Sequence, residues 1–233
     1  MMVADLTSKD LGNFADVVAM LQTDAPGLDV KRQVFEKLVE LTRADIGSSN
    51  FMETGERVNF LHNFDPASGP IYDKHFRARD WVTRSLSQQP NAALVSSVIP
   101  YKDFYETPVY NDFLKPYGLH HGLHLTIRDG DRIVSDFKLW REAGSPDFTQ
   151  REIAILDCLQ SHMRRAFVPP PQPQDALTSR EHEVVNLIGR GFRDKDIADL
   201  LEIKFSTVRT HINRALEKTG SSNRAELAAL VRA

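Results

Sequence analysis

The sequence predicts an α+β front domain, an antiparallel sheet flanked by helices, followed by a small all-α domain of four helices. Three observations carry that reading. Residues 168–174 hold Pro169, Pro170, Pro171 and Pro173, a run that cannot continue a helix and favours an extended, semi-rigid spacer. It separates a domain over 1–167 from one over 175–233. Before it, Leu119, Leu123, Leu125 and Ile127 alternate with His120, Gly122, His124 and Thr126, the period of a strand with one apolar face. After it, apolar residues recur at helical spacing in four short segments with turn or capping residues between them.

In the front domain, Leu11, Phe14, Ala15, Val18 and Leu21 recur at three- and four-residue spacing, as do Val30, Val34, Phe35, Leu38 and Leu41. These are two amphipathic helices. Residues 49–53 and 57–64 read as strands around a Thr54-Gly55 turn. A helical stretch is expected over 72–87, a short strand over 93–98, and another helical stretch over 102–115, interrupted at Pro108. The alternating strand meets its partner, 133–140, through the hairpin signal Asp129-Gly130. Thr149 with Glu152 forms a capping box, and Phe148 with Ile153 an apolar staple, opening a helix to about Phe167.

The second domain starts with another capping box, Thr178 with Glu181, leading into a helix with Val184, Val185, Leu187 and Ile188 inside and Gly191 at its end. Residues 194–201 give a short second helix. A brief turn over 202–204 leads to a third, from Phe205 to Thr219, and Asn223 with Glu226 opens a fourth. A middle pair joined so tightly is a helix-turn-helix arrangement. On the third helix, Phe205, Val208, Ile212, Ala215 and Leu216 cluster on one side and are expected to pack inward. Ser206, Arg209, Thr210 and Asn213 share an adjacent polar face, with Thr207, His211, Arg214 and Lys218 on the far flank. From Lys204 to Thr219 the net charge is +3. A major-groove helix needs such an excess, for base-edge donors and the phosphate contacts beside them. A solvated basic face accounts for the charge alone equally well.

Composition excludes much else. The net charge of -3, 41% apolar and 26% charged residues argue against disorder and against a strongly basic whole-chain nucleic-acid binder. The second domain is +1 and the front domain −4, a modest asymmetry. No window approaches 18 uncharged apolar residues, so no membrane helix is expected. No signal peptide is expected either, because the first ten residues hold no long apolar run, and the chain reads as cytoplasmic. The single cysteine, Cys158, cannot form an intrachain disulfide and sits at a core position of its helix. Of His120, His121 and His124 only the first and last share a strand face, and no carboxylate stands at ligand spacing. They read as polar strand residues or pocket-lining groups, and no metal is expected. Tyr101, Phe104, Tyr105 and Tyr110 lie at helical spacing and read first as core. No nucleophile–base motif or phosphate loop is present, so no catalysis and no resident cofactor are assigned.

The string Leu177-Thr-Ser-Arg-Glu-His-Glu-Val184, Gly191, Ile197-Ala198, Leu201-Glu-Ile203, Thr207-Val-Arg-Thr-His211, Lys218 and Asn223-Arg224 resembles the LuxR-type (GerE-like) DNA-binding domain. The resemblance implies a transcriptional regulator of double-stranded DNA. It implies that Arg209, Thr210 and Asn213 face base edges, while Lys204, Thr207, His211, Arg214 and Lys218 hold the backbone. The last helix, with Leu227, Leu230 and Val231, is implied as a dimer contact. Homodimers on an inverted repeat, and RNA polymerase as a further partner, follow from the same family. Where the family usually has Asn and Ser, this chain has Asp194 and Lys204.

The front domain looks like the GAF/PAS-like sensor domains found before this tail. Phe113-Leu-Lys-Pro-Tyr-Gly118-Leu-His-His-Gly122, the hairpin and the Phe148 helix carry that likeness. Tyr72 followed by Asp80-Trp81-Val82 is similar to the autoinducer-binding subset, in which a tyrosine and an aspartate hold an acyl-amide. Pro usually follows that aspartate, but Trp81 stands here, and the expected aromatic-x-x-x-Tyr pair is Phe60 and Phe64, without a hydroxyl. The likeness implies a small organic effector held by Tyr72 and Asp80, with Trp81, Phe60, Phe64, Tyr101 and Tyr105 around it. A front domain serving only dimerisation or docking, or an enzyme with an accessory DNA-binding tail, stand as alternatives.

Overall fold

The computed structural model describes residues 6–23, 25–53, 56–168 and 173–231. The chain divides into two compact units after Val168. The spacer residues 169–172 and the Thr54-Gly55 turn lie outside the described residues.

The front unit opens with α1 (Ser8–Met20) and α2 (Leu28–Thr42), followed by β1 (Ile46–Glu53) and β2 (Glu56–His62). Next come α3 (Ser68–His75), α4 (Trp81–Ser87), β3 (Ala93–Leu94), α5 (Val95–Val98) and α6 (Tyr101–Phe104). The hairpin β4 (His121–Asp129) and β5 (Arg132–Arg141) leads to α7 (Gln150–Phe167). The strands form one antiparallel sheet in the order β2-β1-β5-β4-β3. This is an α+β layout with two differently covered sheet faces.

Strand alternation decides which face each side chain serves. Phe51, Leu123, Leu125, Ile127, Phe137 and Leu139 point into a core closed by Val17, Leu21, Val34, Phe35 and Leu38 from α1 and α2, and by Leu156, Leu159 and Met163 from α7. The opposite face carries a second cluster, with Val82, Leu86, Val95, Phe104, Phe113 and Trp140, under α3 to α6. The capping box fixes the start of α7: the Thr149 amide donates to Glu152 Oε2 at 2.7 Å.

Several elements depart from the sequence expectation. The helical stretch over 72–87 is two helices, because Asp80 leaves helical geometry to cap α4, accepting from the Thr83 amide at 2.9 Å. The strand over 93–98 keeps only Ala93 and Leu94 before turning into α5. The stretch over 102–115 breaks around Thr107 and Pro108, leaving α6, a π turn over Tyr110–Leu114 and a 3-10 turn over Lys115–Tyr117. In α1 the inner position belongs to Val17, while Leu11 is exposed. Cys158 is half-buried on α7.

The second unit contains α8 (Ser179–Gly189), α9 (Asp194–Leu200), α10 (Phe205–Thr219) and α11 (Arg224–Leu230). Val184, Val185, Ile188, Ile197, Val208, Ile212, Ala215 and Leu227 form its core. Gly191 takes φ +90° behind α8, a conformation that favours glycine. Phe205, expected inside, is the first residue of α10, 52% exposed and outside the core cluster.

Candidate nucleic-acid interface and ligand cavity

In the second unit, α10 follows α9 after a turn in which Glu202 adopts φ 53°. Its buried Val208, Ile212 and Ala215 fix its rotation, leaving Arg209, Thr210, Asn213 and Arg214 exposed on the other side. Thr210 returns its hydroxyl to the Ser206 carbonyl at 3.0 Å. Lys204 is exposed at the helix entrance, and Thr207 and His211 are half-buried on the flank. Asp194 is bound by the Arg224 guanidinium from α11 and lies 3.8 Å from Arg209. That acidic side chain therefore ties the start of α9 to α11 and rests beside the helix face predicted to read bases.

One of the expected roles needs correction, and another residue already has a partner within the domain. Lys218 donates at 2.7 Å to Glu181, the buried acid of the α8 capping box. Its ammonium is engaged within the domain, while the side chain stays 35% exposed. Burial opposes ionisation of Glu181, but Lys218 and the Thr178 amide and hydroxyl outweigh it and bring the carboxyl down to about 2. Leu227 is fully buried in the domain core, so it cannot face a second protomer; Leu230 and Val231 are half-buried against the same core.

The front unit holds a cavity of about 830 Å³, partly open to solvent, between the sheet and the segment running through α3 and α4. Tyr72 and Asp80 both line it. They meet each other: the Tyr72 hydroxyl donates to Asp80 Oδ2 at 2.7 Å, while Oδ1 caps α4. Asp80 is buried, and burial with the adjacent carboxylate raises the Tyr72 pKa, so the phenol keeps its proton. Phe64 lines the cavity and packs on Tyr117 at 5.6 Å.

The remaining aromatic expectations fail for identifiable reasons. Trp81 is the first residue of α4 and points outward, 48% exposed. Phe60 lies on the opposite sheet face, 5.6 Å from Phe51, with the Arg32 guanidinium over its ring. Tyr101 and Tyr105 stack on each other at 5.4 Å, and Tyr105 stacks on His120 at 4.5 Å, in an aromatic cluster outside the cavity lining. Tyr101 donates to Asp147 at 3.1 Å.

The cavity floor is polar, and no single motif announced it. Two cross-strand rows build it: Asn59–Asn50–Asp136–Thr126, and Leu61–Ser48–Lys138–His124. Asn50 donates to Asp136 at 2.8 Å and accepts from Asn59 at 3.0 Å, while Lys138 donates to Asp136 at 2.9 Å. Burial works against Asp136, yet Lys138 and Asn50 hold its carboxyl below the usual range. His124 is only 4% exposed; burial, with Lys138 beside it, pushes its pKa down to about 3, so the imidazole is neutral. Its Nε2 is buried without a hydrogen-bond partner among the described residues. The alternation of polar and apolar residues in β4 was the signal that could find this floor, and it left His124 as a polar strand residue or a pocket-lining group. Among the described residues no cluster of His, Cys, Asp and Glu could hold a metal ion, and no helix is long and apolar enough to cross a membrane.

Comparison with known proteins agrees with the second unit's geometry. Residues 175–231 match the family of bacterial regulatory proteins of the luxR family, GerE. The monoamine regulon transcriptional regulator of Klebsiella aerogenes is 28% identical over 196 residues, 84% of this chain and 86% of that protein. Among solved structures, SdiA of Escherichia coli covers 95% of this chain and 96% of its own at 16% identity and a TM-score of 0.48. CepR2 of Burkholderia cenocepacia, an N-acylhomoserine-lactone-dependent LuxR family transcription factor, covers 70% of this chain and 97% of its own at 15% identity and a TM-score of 0.49. Residues 175–231 are thus a LuxR-family helix-turn-helix domain, and the chain is a DNA-binding transcriptional regulator.

Proposed function

We propose that this regulator is controlled by a small organic molecule held in the front-domain cavity. The observation that carries the reading is the 830 Å³ space itself, bounded by aromatic side chains and by convergent polar groups that include the buried Asp80 and its partner Tyr72. An apolar wall supplies contact area, and a few fixed polar groups orient the guest. Support also comes from the alignment with the Klebsiella regulator, which extends through the front domain as well as the tail.

The regulator acts as a homodimer in the cytoplasm, on an inverted repeat upstream of genes transcribed by RNA polymerase. Two-fold symmetry then sets half-sites about 10 base pairs apart, or a multiple, so that both copies of α10 enter one side of the duplex. Arg209, Thr210 and Asn213 read base edges, while Lys204, Thr207, His211 and Arg214 contact the backbone.

The experiment is a thermal-shift screen of the full chain against a metabolite and autoinducer library, followed by operator titrations with each hit. A ligand at 100 times its dissociation constant should add about 2.7 kcal/mol to the folded state, and it should change operator affinity. If no compound alters operator affinity, the front domain is a dimerisation or docking module instead. Footprinting with light scattering tests the dimer; a monomer protecting one half-site overturns it.

A further inference from the structure

We propose that the cavity selects a small aromatic guest whose polar head is net-neutral and presents both a hydrogen-bond donor and an acceptor to His124, Lys138 and Asp136. The inference rests on the reading of the cavity as a ligand site and assigns the chemistry of its guest. It begins with an accounting of charge. Lys138 and Asp136 form an ion pair at 2.9 Å on the floor, and His124 beside them is neutral. On the wall, Arg57 and Arg77 share Asp73, while Asp80 is bound by Tyr72. Arg84 is exposed to solvent at the rim. On the floor itself the two charges already neutralise each other, so a singly charged head set there finds no unpaired counter-charge beside it and gives up its own hydration.

Hydrogen bonding points the same way. Nε2 of His124 is a buried polar atom without a partner among the described residues, on a residue 4% exposed that lines the cavity. Among the described residues Lys138 donates to Asp136, and an ammonium has three donors. Asp136 accepts from Asn50 and Lys138 and keeps lone pairs for a further donor. The floor thus offers acceptor and donor capacity side by side. A carboxamide, or a zwitterion with adjacent ammonium and carboxylate, satisfies both; a lone amine or a lone carboxylate satisfies one. Phe64, Phe113 and Trp140 on the cavity wall provide the aromatic contact.

Isothermal titration of the full chain with four matched probes tests this: phenylacetamide, phenylalanine, 2-phenylethylamine and phenylacetate. The amide or the zwitterion should bind at least tenfold more tightly than both singly charged probes, and which of them leads distinguishes the two neutral heads. Lys138→Gln leaves Asp136 alone and should move the preference toward 2-phenylethylamine; Asp136→Asn should move it toward phenylacetate. His124→Phe should weaken the preferred probe at least tenfold, and where that variant does not fold the two charge variants decide. A singly charged probe binding tightest to the wild type overturns the proposal, as does an unchanged ranking in both charge variants or no binding of any probe at millimolar concentration. Because these titrations contain no DNA, they fail independently of the sensor reading, which stands or falls on operator affinity.

Discussion

Gly122 lies opposite Trp140 across the β4–β5 pair, and a Cβ on Gly122 would approach the indole to 2.7 Å and Val95 to 2.6 Å. The indole occupies the space that any larger residue would need. Its ring in turn meets His124 edge-on at 5.2 Å, so a glycine on β4 sets the position of a cavity-floor side chain two residues away.

Gly122→Ala should therefore destabilise the front domain by about 1–3 kcal/mol through overpacking and weaken ligand binding at the same time. Urea denaturation and ligand titration of one protein preparation check both. An unchanged midpoint would show that Trp140 can move aside freely.

Tyr72→Phe removes the donor to Asp80 and leaves a buried carboxylate with its cap bond only. A loss of about 1–3 kcal/mol is expected, together with impaired ligand response. Asp80→Asn should have a smaller effect on the start of α4, since Asn also caps helices. A double-mutant cycle on Tyr72 and Asp80 measures their coupling. Additive effects would contradict the 2.7 Å bond.

Arg209→Ala should cost about 1–3 kcal/mol on the operator and relax preference at one base position, whereas Arg214→Ala should weaken all sequences alike and lower the salt slope. Titrations on operator and random DNA over a range of salt separate the two. Equal, sequence-independent losses would remove Arg209 from base readout.

The Glu181–Lys218 pair makes the DNA-binding domain acid-sensitive. Folding lowers the Glu181 pKa from 4.5 to about 2, so its stabilisation is fully present above the unfolded value and is lost as pH falls through about 2. Lys218→Met removes the partner and should destabilise the domain near neutral pH. It should also flatten the acid limb of a stability profile followed by circular dichroism. A profile parallel to the wild type's would mean that the pair contributes nothing to folding.

What the sequence made legible follows from local chemistry. Capping pairs at Thr149/Glu152, Thr178/Glu181 and Asn223/Glu226 mark helix starts because a side-chain oxygen three residues away is a local requirement. The β4–β5 hairpin was visible because alternation and a turn dipeptide coincide there. Phe60 and Phe64 show where such reasoning ends. By parity they share a strand face, but β2 stops at His62 and Asn63 takes φ 48°, sending Phe64 into the cavity while Phe60 stays in the opposite core. Parity holds only as long as the strand does. Lys218 illustrates a different limit: its position on the helix suggested a phosphate, and only the tertiary fold brings Glu181, far away in sequence, within 2.7 Å.

Asp194 carries a consequence for how the regulator searches a genome. At 3.8 Å from its carboxylate, Arg209 leaves a contact worth up to about 1 kcal/mol before it touches any base. A guanine edge, accepting two hydrogen bonds from one guanidinium, repays that loss easily. A single passing phosphate oxygen does so far less well. An acid beside the reading helix thus subtracts the same loss from every complex that draws Arg209 away, operator or random duplex; wrong sites are left sooner, while the preference itself still rests on the base edge.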